Sequence, residues 1–312
     1  MRVFVAGGSG VIGHALIPRL VGAGHEVAVT TRSQSKVASL ASLGAVPYVL
    51  DALDEESLAA AVRSFRPDAL MNQMTSLPPH YNPRRLSSWY AATSRLHVEG
   101  TRNLLRAAAK LGSRRFVYQS IAFMYAMSGS KVVDESASLA VDAPEPFGAL
   151  VRATLEGEQL AVGSPGITGV VLRYGQLYGP GTYLARDGDF HKQAMQRMLP
   201  ILGSGCGMFS FLHVEDAATS AVAALERGSG VYNVTDDQPA EAREWIHAFC
   251  REAGAPAPMR LPAWIGRTLA GSFPTALLTE GRGASNAKAK LELGWSPSHP
   301  TWRAGFFGSL AT

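Results

Sequence analysis

The chain is predicted to be a doubly wound α/β protein, a parallel sheet covered by helices on both faces, with a smaller C-terminal substrate-binding region. Three observations predict it. The chain opens on an apolar strand that runs straight into a glycine turn and a helix. Short apolar, β-branched runs then alternate with helical segments along most of the 312 residues. A content of 46% hydrophobic and 17% charged residues is enough to fill a core on both faces of such a sheet.

The first element is Arg2 to Ala6, a run suited to a strand buried on both faces, and it feeds Gly7-Gly8-Ser9-Gly10-Val11-Ile12-Gly13. Gly7 permits the tight turn, Gly10 leaves the backbone open to a pyrophosphate, and Gly13 lets the next helix pack closely. That helix starts near Val11, with Val11, Ile12, Ala15, Leu16 and Leu20 on one face, so its free N–H groups and positive dipole end meet the anion. Gly22-Ala23-Gly24 ends it, and His25 to Thr31 is the second strand. A strand–helix–strand unit of about 30 residues is the length of a dinucleotide-binding βαβ.

After the second strand, Arg32, Ser33 and Lys36 offer donors and positive charge where an acidic residue would accept the ribose 2′-OH of NAD. NADP (NADPH) is therefore expected over NAD. The third strand, Ala45 to Leu50, leads to Asp51 and Leu53 at the carboxyl edge, beside an adenine; Asp51 alternatively caps the helix that begins at Glu55. A fourth strand, Ala69 to Gln73, enters a proline-rich loop, residues 74–83, that carries Thr75 and Tyr81 over the nicotinamide end. One long helix, Trp89 to Leu111, and a fifth strand, Arg115 to Gln119, follow.

With VAGGSGVIG, HVEGTRNLLRAA, RFVYQSIAFMYA, VVLRYGQLYGPGT, FSFLHVEDAA, VYNVTDDQP and AKAKLELGWSP in this order, the whole chain resembles the extended short-chain dehydrogenases/reductases, which include the NAD-dependent epimerase/dehydratase proteins. The resemblance implies a Rossmann sheet of about seven strands. It divides the chain into a dinucleotide-binding part, residues 1–173, and a mainly substrate-binding part, residues 174–312, with elements near 208–234 returning to the sheet.

The resemblance also implies a Tyr-x-x-x-Lys pair after the fifth strand, assisted by a Ser or Thr and an Asn, in which the Lys lowers the pKa of the Tyr. Here Phe147 falls at the Tyr, Val151 at the Lys, Ile121 at the Ser/Thr and His97 at the Asn. No shift of register restores the pair, since none of the nine tyrosines has a Lys four residues on. Ile121, Phe147 and Val151 are expected to line an apolar substrate pocket, and none of them relays a proton. Arg152 does not replace the Lys, because adjacent helix positions point about 100° apart. A proton then comes from water or from Tyr125, His97, Ser120, Thr75 or Tyr81, with Tyr125 and His97 leading; each also has a purely structural reading.

The helix Ala149 to Ala161 and the sixth strand Gly169 to Arg173 lead to a turn-rich substrate loop containing Tyr178. Residues 183–207, with Arg186, Asp187, Asp189, His191, Lys192 and Arg197, read as a lid or a solvated surface. Strands follow at Phe209 to Val214 and Gly230 to Val234; His213 and Asp216 read as structural. Trp264, Leu269, Phe273 and Leu278 are expected on the far wall of the pocket.

A net charge of +4 without a basic run excludes nucleic acid as the main partner. No run reaches the ~18 apolar residues of a membrane span, and a core strand already occupies residues 2–6, so neither membrane nor signal peptide is expected. Two cysteines, Cys206 and Cys250, fit a reducing cytoplasm and no metal cluster. The family implies a homodimer through its two long helices, here carrying Leu96, Leu104, Leu105, Leu155 and Leu160. The sequence thus predicts an NADP-dependent reductase or dehydrogenase of a small, largely apolar carbonyl, enone or imine. A non-redox isomerase, lyase or cyclase that retains the nucleotide, and a nucleotide-sensing binding protein, stand beside it.

Overall fold

The structure, a computed structural model, describes residues 1–78, 80, 85–269 and 271–307. Five strands open the chain: β1 (Arg2–Ala6), β2 (Glu26–Thr31), β3 (Ala45–Val49), β4 (Ala69–Asn72) and β5 (Arg115–Ile121). With Thr168–Tyr174 and Gly230–Val234 they form one seven-stranded parallel sheet, in the order Gly230–Val234, Thr168–Tyr174, β5, β4, β1, β2, β3. The chain runs outward from β1 to one edge, then returns past it, so a topological switch lies between β1 and β4, where such sheets bind ligands at their carboxyl ends.

Burial on both faces is legible within β1. Val3 and Val5 pack into one apolar cluster with Leu16 and Leu20 of α1 (Val11–Gly22), while Phe4 and Ala6 join the opposite cluster with Leu58 and Phe65. Successive strand residues alternate sides, so an uninterrupted apolar run fills two cores. A short helix, α2 (Val37–Ser42), precedes β3. Helix α3 (Glu55–Phe65) buries Leu58, Ala61, Val62 and Phe65, the i, i+3, i+4, i+7 stripe of a sheet-facing helix. Its cap is Asp54, which accepts from the backbone N–H of Glu56 and Ser57. Asp51 instead accepts from Leu53 N at 3.0 Å, correcting its reading as the cap.

The expected single helix Trp89 to Leu111 begins at Leu86 and is broken in the middle. Helices α4 (Leu86–Arg95) and α5 (Thr101–Ala109) are joined by a π turn over Leu96–Gly100. A π turn inserts an extra residue, and such turns recur at functional sites. Helix α6 (Phe147–Gly163) packs beside it; Gly157 allows this, since a side chain there would strike the Tyr118 hydroxyl. The expected strand Phe209 to Val214 is two short ones. Met208–Phe209 pairs with Ala240–Glu241, and Phe211–His213 pairs with Gln176–Tyr178. Helices α7 (Asp189–Met195) and α8 (Val214–Glu226) flank this region. Tyr178, Leu184, Phe211, Trp245, Phe249, Trp302 and Phe306 fill a third core beneath the C-terminal part.

Candidate active site

The glycine turn divides by what demands each residue. Gly7 has φ +90°, and a Cβ there would lie 2.5 Å from the Gln73 carbonyl oxygen; a Cβ on Gly13 would collide with the Gly8 carbonyl. The packing partner of Gly13 is thus the loop itself rather than the sheet. Gly10 differs: its Cβ would meet only the Gly7 oxygen, at 3.3 Å, and its backbone is ordinary extended chain. The fold asks for a glycine there less strictly than at Gly7 or Gly13, and a pyrophosphate approaching the start of α1 adds its own demand. Val11 is partly exposed at that helix start, while Ile12 and Gly13 are buried beneath it.

Arg32 follows β2 exposed, without a hydrogen bond or ion pair among the described residues. Lys36 Nζ donates to the Ser9 carbonyl at 3.2 Å, which brings its charge over the same loop. Asp51 is exposed and Leu53 half-buried beyond the end of β3. Directly after β4, the buried side-chain amide of Gln73 has both its oxygen and its nitrogen unpaired. The backbone of Gln73 bonds to Ala6 and abuts Gly7. An open glycine cradle, two cations without a carboxylate partner among the described residues and a buried amide without a hydrogen-bond partner among them fit a dinucleotide.

The two positions read from sequence as those of the Tyr and the Lys are sealed. Phe147 and Val151 are fully buried at the start of α6, and the Phe147 ring stacks on Phe273 with centroids 3.3 Å apart at 14°. Phe273 comes from the helix Ser272–Glu280, and Tyr90 of α4 stands edge-on to Phe147 at 6.2 Å. Met124 and Leu150 complete the cluster, with Ile121, Phe123 and Met127 partly buried against it. The expectation that all three replacements line the pocket is therefore corrected. Phe147 and Val151 form a floor beneath other side chains, and of the three only Ile121 keeps exposed surface. Arg152 is exposed and pairs with Glu145 and the Val141 carbonyl, away from that cluster.

The leading proton-donor candidates are occupied. His97 lies buried in the π turn, its Nδ1 2.5 Å from the Tyr118 hydroxyl, and burial lowers its pKa to about 4. Burial likewise keeps Tyr118 protonated, well above the usual phenol range, so Tyr118 donates and His97 accepts. Ser120 is fully buried and donates to Glu158 Oε1 at 2.6 Å. Glu158 is gripped by Arg173, through Nε at 2.8 Å and a terminal nitrogen at 2.6 Å. The other terminal nitrogen of Arg173 reaches the Tyr125 hydroxyl at 3.0 Å, which donates to Asn233 at 2.6 Å. Burial raises the Tyr125 pKa against the opposing pull of Arg173. Tyr125, His97 and Ser120 are thus committed to buried hydrogen-bond networks, a signal no sequence spacing carries. Thr75 is half-buried with no hydrogen bond among the described residues, and Tyr81 lies outside them.

Other expectations also shift. Tyr178 belongs to the C-terminal core, edge-on to Phe211 and His213, and does not touch the Phe147 cluster. His213 caps α8 and stacks on His299, while Asp216 holds the backbone of Ser298 and His299. Trp264 and Leu269 are each 68% exposed and Leu278 packs on the C-terminal core, leaving Phe273 as the expected wall residue that joins the Phe147 cluster. In the segment 183–207, Tyr183 stacks on Phe190 and bonds to the Pro78 carbonyl, and Asp189 meets His80 at 3.6 Å, so this segment roofs the loop after β4. Of the five interface leucines, Leu96, Leu104 and Leu105 are buried in the chain's own core. The sequence reading missed Gln73, Tyr90 and the Glu158–Arg173 pair.

Residues 3–235 match the model of the NAD dependent epimerase/dehydratase family. The 3-diazoavenalumate denitrifying reductase of a Streptomyces species is 45% identical over 313 residues, covering 98% of this chain and 99% of the relative. A ketoreductase of Stigmatella aurantiaca, acting on a 4-hydroxy-2-methyl-3-oxo-4-farnesyl-3,4-dihydroquinoline-1-oxide, is 29% identical across 81% of this chain and 74% of its own. Among solved structures, human epimerase family protein SDR39U1 with NADPH superposes with a TM-score of 0.76 at 24% identity, covering 98% of both chains. The UDP-glucose 4-epimerase of Thermus thermophilus with NAD gives 0.72 at 25% identity, covering 96% of this chain and 94% of that one. No described helix is long and apolar enough to cross a membrane. The chain therefore belongs to the NAD-dependent epimerase/dehydratase family of extended short-chain dehydrogenases/reductases, as an oxidoreductase with a nicotinamide dinucleotide cofactor.

Proposed function

We propose that this oxidoreductase is an NADPH-dependent reductase whose acceptor is reduced by hydride alone, with a diazonium-bearing acid as the leading case. The observation that carries this is the sealed floor at Phe147 and Val151, together with hydroxyls at Ser120, Tyr118 and Tyr125 committed to buried partners. Reduction of a carbonyl creates an alkoxide that must be protonated, so an enzyme using that acceptor keeps a donor within reach. What the dinucleotide supplies when bound is hydride, and a diazonium carbon exchanging N2 for hydride balances charge and atoms without consuming a proton. The 45%-identical relative is named for removing nitrogen from a diazo compound, which supports this acceptor over the carbonyl, enone or imine expected from sequence.

In this reading Gly7, Gly10 and Gly13 shape the pyrophosphate cradle, with the N–H groups at Val11 and Ile12 facing it. Arg32 and Lys36 take the 2′-phosphate, and Asp51 and Leu53 flank the adenine. Gln73 offers its unpaired amide to the cofactor. Ile121, Phe123 and Tyr90 present apolar and π surface, which excludes water and suits a cationic acceptor. The proposal keeps residues 1–173 as the dinucleotide part and 174–312 as mainly the substrate part. It also keeps a cytoplasmic location and a homodimer, now through Leu155, Leu160 and the 43%-exposed Val162 of α6.

The test is to incubate the protein and NADPH with 3-diazoniobenzoate or, separately, with a small aliphatic ketone, following absorbance of the reduced cofactor and N2 release. Equimolar N2 and cofactor oxidation above the enzyme-free rate, with the ketone inert, is the expected result. Turnover of the ketone and not of the diazonium salt would overturn it.

A further inference from the structure

Three side chains with metal-ligating atoms converge at the start of α8. His213 caps the helix, Glu215 lies in its first turn, and His299 comes from the C-terminal segment. One ligand atom from each lies within 4.8 Å of the other two. The imidazoles of His213 and His299 stack with centroids 3.7 Å apart at 26°, so packing holds the two rings together.

The surrounding hydrogen bonds leave a lone pair on each imidazole. His299 Nδ1 lies 3.1 Å from Asp216 Oδ2, on a carboxylate that also accepts from the backbone N–H groups of Ser298 and His299 at 2.8 Å each. Nδ1 therefore carries the proton and Nε2 keeps its lone pair. An imidazole oriented by a carboxylate in this way is the usual support of a metal ligand. His213 Nδ1 accepts from Glu215 N at a long 3.3 Å, so its lone pair lies on the Glu215 side, whereas its Nε2 is closed off by Gly179, where a Cβ would stand 2.5 Å away. The Glu215 carboxylate accepts no hydrogen bond among the described residues. Arg19 stands 3.5 Å from it in a partly exposed pair of little strength. The N–H groups that open α8 disfavour a cation, but Glu215 and Asp216 in that turn offset them. Glu215 and His299 are only half-buried, which leaves an entry path from solvent.

We propose that His213, Glu215 and His299 form a binding site for a divalent transition metal, Zn2+ by its donor set, which clips the C-terminal segment to the start of α8. Two imidazoles and one carboxylate suit Zn2+ rather than Mg2+ or Ca2+, and three protein ligands leave a fourth position for water. Ligand atoms about 2.0–2.1 Å from a tetrahedral ion stand about 3.3 Å apart, so the three must close by at most about 1.5 Å. Rotation of the half-exposed Glu215 side chain supplies much of that. Next to His213, the turn 179–181 passes Val11 at the start of α1, where a Cβ on Gly181 would lie 3.8 Å from the Val11 methyls. The clip thus sits close to the dinucleotide cradle, and it does not depend on the acceptor proposed above.

The test is a titration of the untagged, EDTA-treated chain, without nucleotide, by ZnCl2 in competition with a chromophoric chelator. One Zn2+ per chain with a Kd of about 10 µM or tighter is expected, and no response to MgCl2. Glu215→Gln, at an exposed position that keeps the helix cap, and His299→Gln should each weaken binding about ten-fold or more, while His247→Gln, on the exposed face of another helix, should not. In the parent chain CoCl2 should give the intense visible bands of a tetrahedral ion, a readout that needs no variant to fold. No binding at about 1 mM Zn2+, an equal response to Mg2+, or only the weak spectrum of hydrated Co2+ each overturns the site. So does undiminished affinity in both ligand variants, or a loss in His247→Gln as large as theirs.

Discussion

Installing a Tyr and Lys pair as Phe147→Tyr with Val151→Lys probes whether the apolar floor is adapted to its own packing or still prepared for that pair. Val151 is fully buried among Met124, Leu150 and Phe273. The carboxylate along the same helix, Glu158, has both oxygens taken by Ser120 and Arg173. An ammonium placed there has no partner; it costs about 3–5 kcal/mol unpaired, or gives up its proton. A phenol at 147, in a ring stacked face to face on Phe273, adds about 1–3 kcal/mol if its hydroxyl stays unsatisfied. The sum, about 4–8 kcal/mol, is a large part of the roughly 5–15 kcal/mol that holds such a domain together.

Urea unfolding at pH 7 and pH 9.5 measures this. A buried lysine has a folded pKa below its unfolded value of about 10.4, so between the two the unfolded state binds more protons and stability rises with pH. The deficit against the parent protein should therefore shrink at pH 9.5. NADPH oxidation with 3-diazoniobenzoate should not rise in the variant. A double variant as stable as the parent and markedly faster on its substrate would refute the reasoning, because the pair would then have found a site still prepared for it.

Gly10→Val should lower the melting temperature modestly, since its Cβ meets the Gly7 oxygen at 3.3 Å at a helix N-cap, and weaken dinucleotide binding roughly 100-fold, about 3 kcal/mol, whereas Gly13→Ala should destabilise the fold itself strongly; fluorescence titration and calorimetry separate the two. Arg32→Ala should weaken NADP binding roughly 10- to 100-fold, from the 1.5–3 kcal/mol of a hydrogen bond to a charged group, and leave NAD nearly as before; equal losses would remove the 2′-phosphate role. His97, lowered to about 4 from 6.5, contributes stability that is present above pH 6.5 and lost as pH falls through 4, about 3 kcal/mol. The stability difference between His97→Asn and the parent should move by that amount in the variant's favour from pH 7 to pH 4. Asp236, raised by burial to about 7, acts with the opposite sign: its contribution is full below pH 3.8 and lost as pH rises through 7, so Asp236→Asn should gain on the parent over that climb. Light scattering at micromolar concentration should give twice the chain mass; a monomer would remove the α6 interface.

The dinucleotide end was legible in the sequence because its requirements are local. A glycine with φ +90°, a helix starting one residue after Gly10 and a cation one residue past β2 are all set within about 30 residues, and spacing alone records them. The acceptor end was legible only as a loss. That Phe147 and Val151 cannot relay a proton follows from their identity, but that they are roofed by Phe273, 126 positions beyond Phe147, does not. The same limit explains Tyr125 and Ser120. Each reads as a free hydroxyl at the end of a strand until Arg173 and Glu158, from two other elements, take it. The π turn at His97 has no composition cue, since the residues around it would serve an ordinary helix equally well.

The buried Glu158–Arg173 pair, with side chains 3% and 5% exposed, ties up both Ser120 and Tyr125 at once. Such a pair is costly unless every lone pair and proton is satisfied, and here Ser120 and Tyr125 satisfy them. Returning Ser120 to proton chemistry would leave a Glu158 oxygen short of a donor. Returning Tyr125 would strand an Arg173 N–H and the Asn233 oxygen. The hydroxyls nearest the end of β5 are thus held by the stability of the sheet itself, and the apolar floor beside them needs no counter-charge. On the proposed reading, a reductase built this way favours acceptors that take hydride without drawing a proton from Ser120 or Tyr125.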